Sequence, residues 1–244
     1  MKKQTIIFAV LLSVTIFMAV LIFLRREHFA YSGVIEAVEV DVSSRLGDII
    51  LKLNADEGSQ VKKDQLLAVL ENKETNLAYE ISLKEYKRAE QLLKTSAGSK
   101  ENYDLKKNRY QQALIKKQWG EITSPIDGKV LYKYYEEGEF VPAGRKIFTV
   151  ADLRKVNAWV YVEHDKLAEI SVGQEVTGYL PEANKIFKGK VTVINDEAEF
   201  TPKNVQTKQE RTRLVYGVKI SFDNDSSLTL KPGMTVEADF CKNN

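Results

Sequence analysis

The chain has 244 residues, 43% of them hydrophobic, and a formal charge of +2 from 36 Lys and Arg against 34 Asp and Glu. Its single cysteine, Cys241, excludes an intrachain disulfide and a multi-cysteine zinc cluster. So even a charge balance gives no case for the concentrated basic surface that nucleic-acid binding requires, and no nucleic-acid partner is expected.

The apolar residues are unevenly placed. From Ile6 to Leu24 only Ser13 and Thr15 interrupt a run of 19 otherwise apolar positions. As a helix this run spans about 28 Å, close to the hydrocarbon thickness of a bilayer and longer than a usual signal-peptide core. Ala30 and Ser32 before Gly33 weakly resemble a cleavage site, so a cleaved signal and an uncleaved anchor both stay open, with length favouring the anchor. Lys2 and Lys3 are the only charges before Arg25, which predicts a cytoplasmic N-terminus with the rest of the chain outside. Residues 1–30 are read as a cytoplasmic tail and transmembrane helix.

Val34, Glu36, Val38, Val40 and Val42 then alternate with Ile35, Ala37, Glu39, Asp41 and Ser43, as in a strand. A repeat follows. Gly47, Gly58, Val61, Asp64, Leu67 and Val69 in one segment match Gly128, Gly138, Val141, Gly144, Ile147 and Val150 in another. In each, a glycine opens an apolar strand, an acidic-Gly turn follows, and a second turn leads to a short closing strand. Between the copies, residues 72–119 contain no proline and one glycine, Gly98, amid Leu, Lys, Glu, Gln and Ala. This predicts a helical hairpin, or short coiled coil, that turns over Thr95 to Ser99. Leu77, Ile81, Tyr86, Ala89 and Leu93 form a stripe on the first arm, and Tyr103, Tyr110 and Leu114 one on the second. The hairpin is basic, with 11 Lys and Arg against 6 Asp and Glu. From Val156 onward alternating runs return, Lys231-Pro232-Gly233-Met234 has the order of a type II turn, and Glu163 to Ile170 reads as one short helix. Six or so strands suggest a small β-barrel. The predicted fold is mainly β with an inserted α-helical hairpin, organised as 1–30, 31–71 with 122–152, 72–121, and 153–244.

No constellation supports catalysis, and no enzyme activity, cofactor or metal is expected. His164 between Glu163 and Asp165 is better explained by a solvated turn than by a metal site, because consecutive strand residues face opposite sides. No nucleophile has a base nearby in a motif, and no Gly-rich phosphate loop is present.

The repeat resembles the lipoyl and biotinyl carrier domains, whose modified lysine crowns a tight hairpin near the position of Lys73. Here about 50 helical residues replace that hairpin, so Lys73 is expected to begin an arm, and a carrier function is the alternative reading. A split lipoyl-like β-sandwich with an inserted hairpin and a following barrel resembles the HlyD-type membrane fusion proteins, the periplasmic adaptors of tripartite efflux and secretion pumps. The residues that carry this are Ser32-Gly33-Val34-Ile35-Glu36, the half from Val42 to Leu70, Ile122-Thr-Ser-Pro-Ile-Asp-Gly128, Val162 with Glu163 and Asp165, Val172-Gly173-Gln174, Phe187-Lys-Gly-Lys-Val191 and Lys231-Pro-Gly-Met-Thr235. One departure is Asp64, where the family usually has glycine; aspartate tolerates the left-handed conformation better than most residues.

The resemblance implies an inner-membrane, single-pass adaptor with its bulk in the periplasm, self-assembled into a homo-oligomeric ring. Its partners would be an ABC-type exporter (permease and ATPase) and a TolC-like outer-membrane channel. Docking to that channel would fall to Arg88, Leu92, Ser99 and Asp104 at the hairpin tip taken as a set, while for Ser99 alone capping of the second arm is the preferred reading. The polar stretch from Thr201 to Arg213, with Asn204, Gln206, Thr207, Lys208 and Arg211, would contact the transporter or serve as a long hairpin loop. A non-transport envelope scaffold is the remaining alternative.

Overall fold

The structure, a computed structural model, describes residues 31–200 and 214–240; the 6–24 run, the predicted transporter contacts Asn204, Gln206, Thr207, Lys208 and Arg211, and Cys241 lie outside them. Among the described residues no helix is long and apolar enough to cross a membrane. Two compact units are present. One comprises Ile35–Asn157 with Asp223–Met234; the other holds the described residues up to Val34, those of Ala158–Phe222 and those from Thr235.

In the first unit the sequence repeat becomes a structural one. Strands β2 (Asp48–Leu53), β3 (Gln60–Val61) and β4 (Leu66–Leu70), the last paired with β5 (Glu121–Thr123), have counterparts in β6 (Gly128–Lys133), β7 (Phe140–Val141) and the start of β8 (Lys146–Glu163). The two copies interlock: β3 pairs with β6 through Gln60 and Lys129, while β7 pairs with β2 through Val141 and Asp48. Matching hydrogen bonds repeat at a constant offset of 80 residues, Gly58 N to Val130 O at 2.9 Å and Gly138 N to Ile50 O at 2.8 Å, then Asp64 N to Ser124 O and Gly144 N to Ser44 O, both 2.7 Å. That offset corrects the expected alignments of Gly47 with Gly128 and of Val69 with Val150. The partner of Gly128 is Asp48, where each copy's first strand begins, and the repeat starts earlier, at Ser44 and Ser124. Both serines are buried, and each donates its hydroxyl to the carbonyl two residues on, Leu46 and Ile126. The core is built from equivalent pairs, Ile50 with Val130, Val61 with Val141, Leu67 with Ile147 and Leu70 with Val150. Burying such side chains contributes roughly 1.5–3 kcal/mol each.

Strand β1 (Tyr31–Ser43) does not keep one face inward. Gly33 and Ile35 are buried at its start and Val42 near its end, so the inward side changes phase along the strand. Val34 and Val38 are consequently exposed, against the simple alternation expected of them.

The second unit takes the rest of β8, the helix α3 (His164–Leu167, numbered after the two hairpin helices), β9 (Glu175–Leu180), β10 (Lys185–Phe200), β11 (Leu214–Asp223) and β12 (Thr235–Asp239), with the first residues of β1. The strands run β1-β12-β9-β10-β11-β8, and β1 also pairs with β8, which closes the circuit into a barrel without free edges. The helix expected over Glu163 to Ile170 is only four residues long and passes into a turn. Phe222 fills the interior against β9 and β10. A Cβ on Gly178 would lie 2.4 Å from its ring, and one on Gly189 would lie 2.6 Å away. The absence of a side chain at these two positions is what admits the phenylalanine.

Candidate interaction site on the helical hairpin

Helices α1 (Lys73–Lys94) and α2 (Lys100–Gln118) form the hairpin inserted between the two copies of the repeat. Its base is tied by Asn72, which the sequence did not single out. This residue adopts a left-handed conformation with φ 56°, donates its backbone N–H to Asp48 Oδ2 at 2.8 Å, and donates Nδ2 to Lys117 O at 2.8 Å. Opposite it Gly120 leaves no room for a Cβ, which would meet Asn72 Nδ2 at 2.1 Å. Lys73 follows as the first residue of α1 and pairs with Glu71. It therefore begins an arm and does not crown a β-turn.

The facing sides of the two helices contain Tyr86, Ala89, Leu93, Tyr103 and Tyr110 of the expected stripes but not Leu77 and Ile81. Thr75, Tyr79, Ser82, Tyr86, Ala89 and Leu93 of α1 are buried or half-buried at alternating spacings of four and three, as are Tyr103, Lys106, Tyr110, Ala113 and Lys117 of α2. Leu77 and Ile81, assigned to this stripe from the sequence, point away, with 60% and 51% exposure. The seam is aromatic and polar: Tyr86 stacks on Tyr110 at 5.2 Å, Tyr79 lies 5.8 Å from Tyr110, and Lys117 Nζ sits 4.5 Å over the Tyr79 ring. Lys106 bridges to Glu85 at 2.8 Å and holds its carboxyl below the usual range. The Tyr86 phenol is pushed up to about 12, chiefly by its hydroxyl contact with Tyr103 and then by desolvation.

At the tip, three donors converge on the Leu92 carbonyl: Ala97 N at 2.8 Å, Gly98 N at 3.0 Å and Thr95 Oγ1 at 3.1 Å. The turn thus uses the backbone of Leu92 and leaves its side chain 40% exposed. Arg88 is exposed one turn below. Ser99 is the N-cap of α2 and accepts from Asn102 N at 3.2 Å, and Asp104 is exposed on the first turns of that helix. Arg88 and Leu92 share one side of α1, with Ser99 directly beyond the bend; Arg88 and Asp104 form no ion pair among the described residues. Away from the tip, Leu77 and Ile81 on α1 and Leu105 and Ile115 on α2 expose large apolar side chains on the outer sides of both arms. In the other unit, His164 packs against the ring of Tyr216 at 6.0 Å, and among the described residues no cluster of His, Cys, Asp and Glu could hold a metal.

Residues 38–153 match the family model for the RND MFP barrel-sandwich hybrid domain, MFP being membrane fusion protein. A UPF0194 membrane protein of Citrobacter koseri is 33% identical over 120 residues, 49% of this chain and 36% of that protein, so the chain spans little more than a third of the length of such relatives. Among solved structures, a MacA–MexA chimeric protein with the Pseudomonas aeruginosa MexA α-hairpin domain superposes with a TM-score of 0.69 at 24% identity, covering 87% of this chain and 80% of that one. The membrane fusion protein Spr0693 of Streptococcus pneumoniae R6 gives 0.65 at 18% identity, covering 88% and 99%. Residues 38–153 are thus similar to the RND-type barrel-sandwich hybrid domain, here split by a helical hairpin, and the described residues share the fold of solved membrane fusion proteins.

Proposed function

We propose that the protein is a non-enzymatic periplasmic adaptor, anchored in the inner membrane by the 6–24 run, that joins an exporter to a TolC-like outer-membrane channel. Its copies stand side by side in a ring whose hairpins line a conduit. The observation that carries this is the exposure of aliphatic side chains on both outer sides of the hairpin, Leu77 and Ile81 on one arm and Ile115 on the other. Lys117 over Tyr79 and Lys106 on Glu85 fix the antiparallel register, which sets Ile115 level with the turns that carry Leu77 and Ile81. Two apolar patches at equal height on opposite sides suit a head-to-tail interface that closes into a ring.

Arg88, Leu92, Ser99 and Asp104 are the proposed channel-docking residues, with Leu92 foremost because its exposed side chain is not needed by the turn. For the exporter two readings are kept. The polar stretch that holds Asn204, Gln206, Thr207, Lys208 and Arg211 supports an ABC-type partner, and the name of the matched domain family supports an RND-type one. Purification of the full chain after cross-linking in cells distinguishes them by whether an ATPase-bearing permease is recovered. The decisive test of docking is Leu92→Asp: export should be abolished while the circular dichroism and membrane level of the protein are unchanged, and undiminished export would overturn it. The carrier alternative predicts a lipoyl or biotinyl mass increment on Lys73; we expect none.

A further inference from the structure

We propose that Tyr86 and Tyr103 are an oxidative modification site, at which a peroxide-driven one-electron oxidant couples the two phenol rings into a dityrosine that staples the arms of the hairpin together. The inference stands apart from the adaptor reading. The two rings face each other across the seam with centroids 5.7 Å apart and hydroxyl oxygens at 3.4 Å. Four tyrosines form a continuous ladder, Tyr79 to Tyr110 at 5.8 Å, Tyr110 to Tyr86 at 5.2 Å with 9° between planes, and Tyr86 to Tyr103. Rings in contact at such separations, one pair stacked and two tilted, allow an electron vacancy to migrate along the ladder.

The ladder is electrostatically biased. Lys117 Nζ lies 4.5 Å over the Tyr79 ring, and a fixed cation there disfavours removal of an electron from that ring. The vacancy is driven toward Tyr86 and Tyr103, whose hydroxyls touch, so that a departing proton has an acceptor oxygen within reach. Each phenol loses one electron and one proton and becomes a phenoxyl radical with spin on its ortho carbons. A carbon–carbon bond then forms between ortho carbons, and loss of the two ring hydrogens there restores both hydroxyls. Two phenols and one hydrogen peroxide thereby give one biphenol and two waters. The link lies inside the seam and leaves the outer sides of both arms unchanged.

The test treats the dilute full-length protein in detergent with a haem peroxidase and hydrogen peroxide, then reads dityrosine fluorescence and the cross-linked peptides by mass spectrometry. The expected product joins the peptides of Tyr86 and Tyr103 within one molecule, less two hydrogen atoms. Tyr86→Phe and Tyr103→Phe, which keep the rings, should each remove it, and Tyr79→Phe should leave it. Oxidation in urea should scatter links among the 11 tyrosines. Absence of dityrosine in the folded protein, links dominated by other tyrosines or by separate molecules, or the same preference in urea would each overturn the proposal.

Discussion

Asp64 occupies φ 64° at the turn where its repeat counterpart Gly144 sits at 83°. The turn survives the departure from glycine because a short polar side chain tolerates this region, whereas a β-branched one pays the full steric penalty of roughly 1–2 kcal/mol. Asp64→Val should therefore lower the unfolding free energy by that amount, read as a lower urea midpoint at unchanged slope, and Asp64→Gly should change stability by about 0.5 kcal/mol or less. This position was legible from the spacing of the two copies. Ser44 and Ser124 were not, since a serine before an apolar strand reads as surface until both are found buried with their hydroxyls bonded two residues on. Asp41 gives a pH-dependent case. Lys146 at 2.6 Å and then the Thr149 hydroxyl at 2.8 Å hold its carboxyl below the ordinary range. The unfolded chain binds that proton more readily, so the contribution is complete at neutral pH and is lost as pH falls through the ordinary carboxylate value toward the folded one. Thermal melts across the acid range should show a shallower loss of stability for Asp41→Asn than for the parent chain.

The hairpin shows how an element can be correctly located and faced only in part: Tyr86, Ala89, Leu93, Tyr103 and Tyr110 of the expected stripes lie in the seam, whereas Leu77 and Ile81 do not. Helix formers, the absence of proline and the small-residue turn set its limits within a residue or so of those observed. Facing is decided by packing, and here the seam is made mostly of Tyr, Ser, Thr, Ala and Lys, with Leu93 near the tip, while Leu77, Ile81, Leu105 and Ile115 lie outside, so a search for an apolar stripe follows the wrong side at Leu77 and Ile81. Tyr86 contacts both Tyr103 and Tyr110. Truncating it, Tyr86→Ala, should cost about 2–3 kcal/mol, less than the 3–5 kcal/mol of a fully buried aromatic, because the site is half-open to solvent. Leu77→Ala should stay within about 0.5 kcal/mol in the dispersed protein. In the barrel the same logic predicts that Gly178→Ala, which drives a methyl into the Phe222 ring, destabilises by about 1–3 kcal/mol. Phe222→Leu in the same chain should relieve part of that loss, since the two sites touch. Denaturant titrations of the four chains of that cycle measure the coupling directly.

For the whole molecule, the order of weak motifs along the chain was more informative than any one of them, and it led to the fold of the membrane fusion proteins. Assembly entered only as what the resemblance implies, because which apolar side chains stay uncovered depends on the seam that the sequence did not reveal. The proposed interface is head-to-tail: the Leu77 and Ile81 side of one copy meets the Ile115 side of the next. A surface of this kind makes a prediction that a two-fold interface does not share. Leu77→Asp and Ile115→Asp should each abolish rings of the full-length protein in detergent, as read by sedimentation velocity, because each removes one of two different patches and leaves monomers. Mixed in equal amounts, the two variants still hold one intact Ile115 side and one intact Leu77 side between them. The mixture should then form dimers that can grow no further, each capped at both ends by a charged face. Were the contact instead isologous, Leu77 side on Leu77 side, Ile115→Asp alone would dimerise and mixing would add nothing.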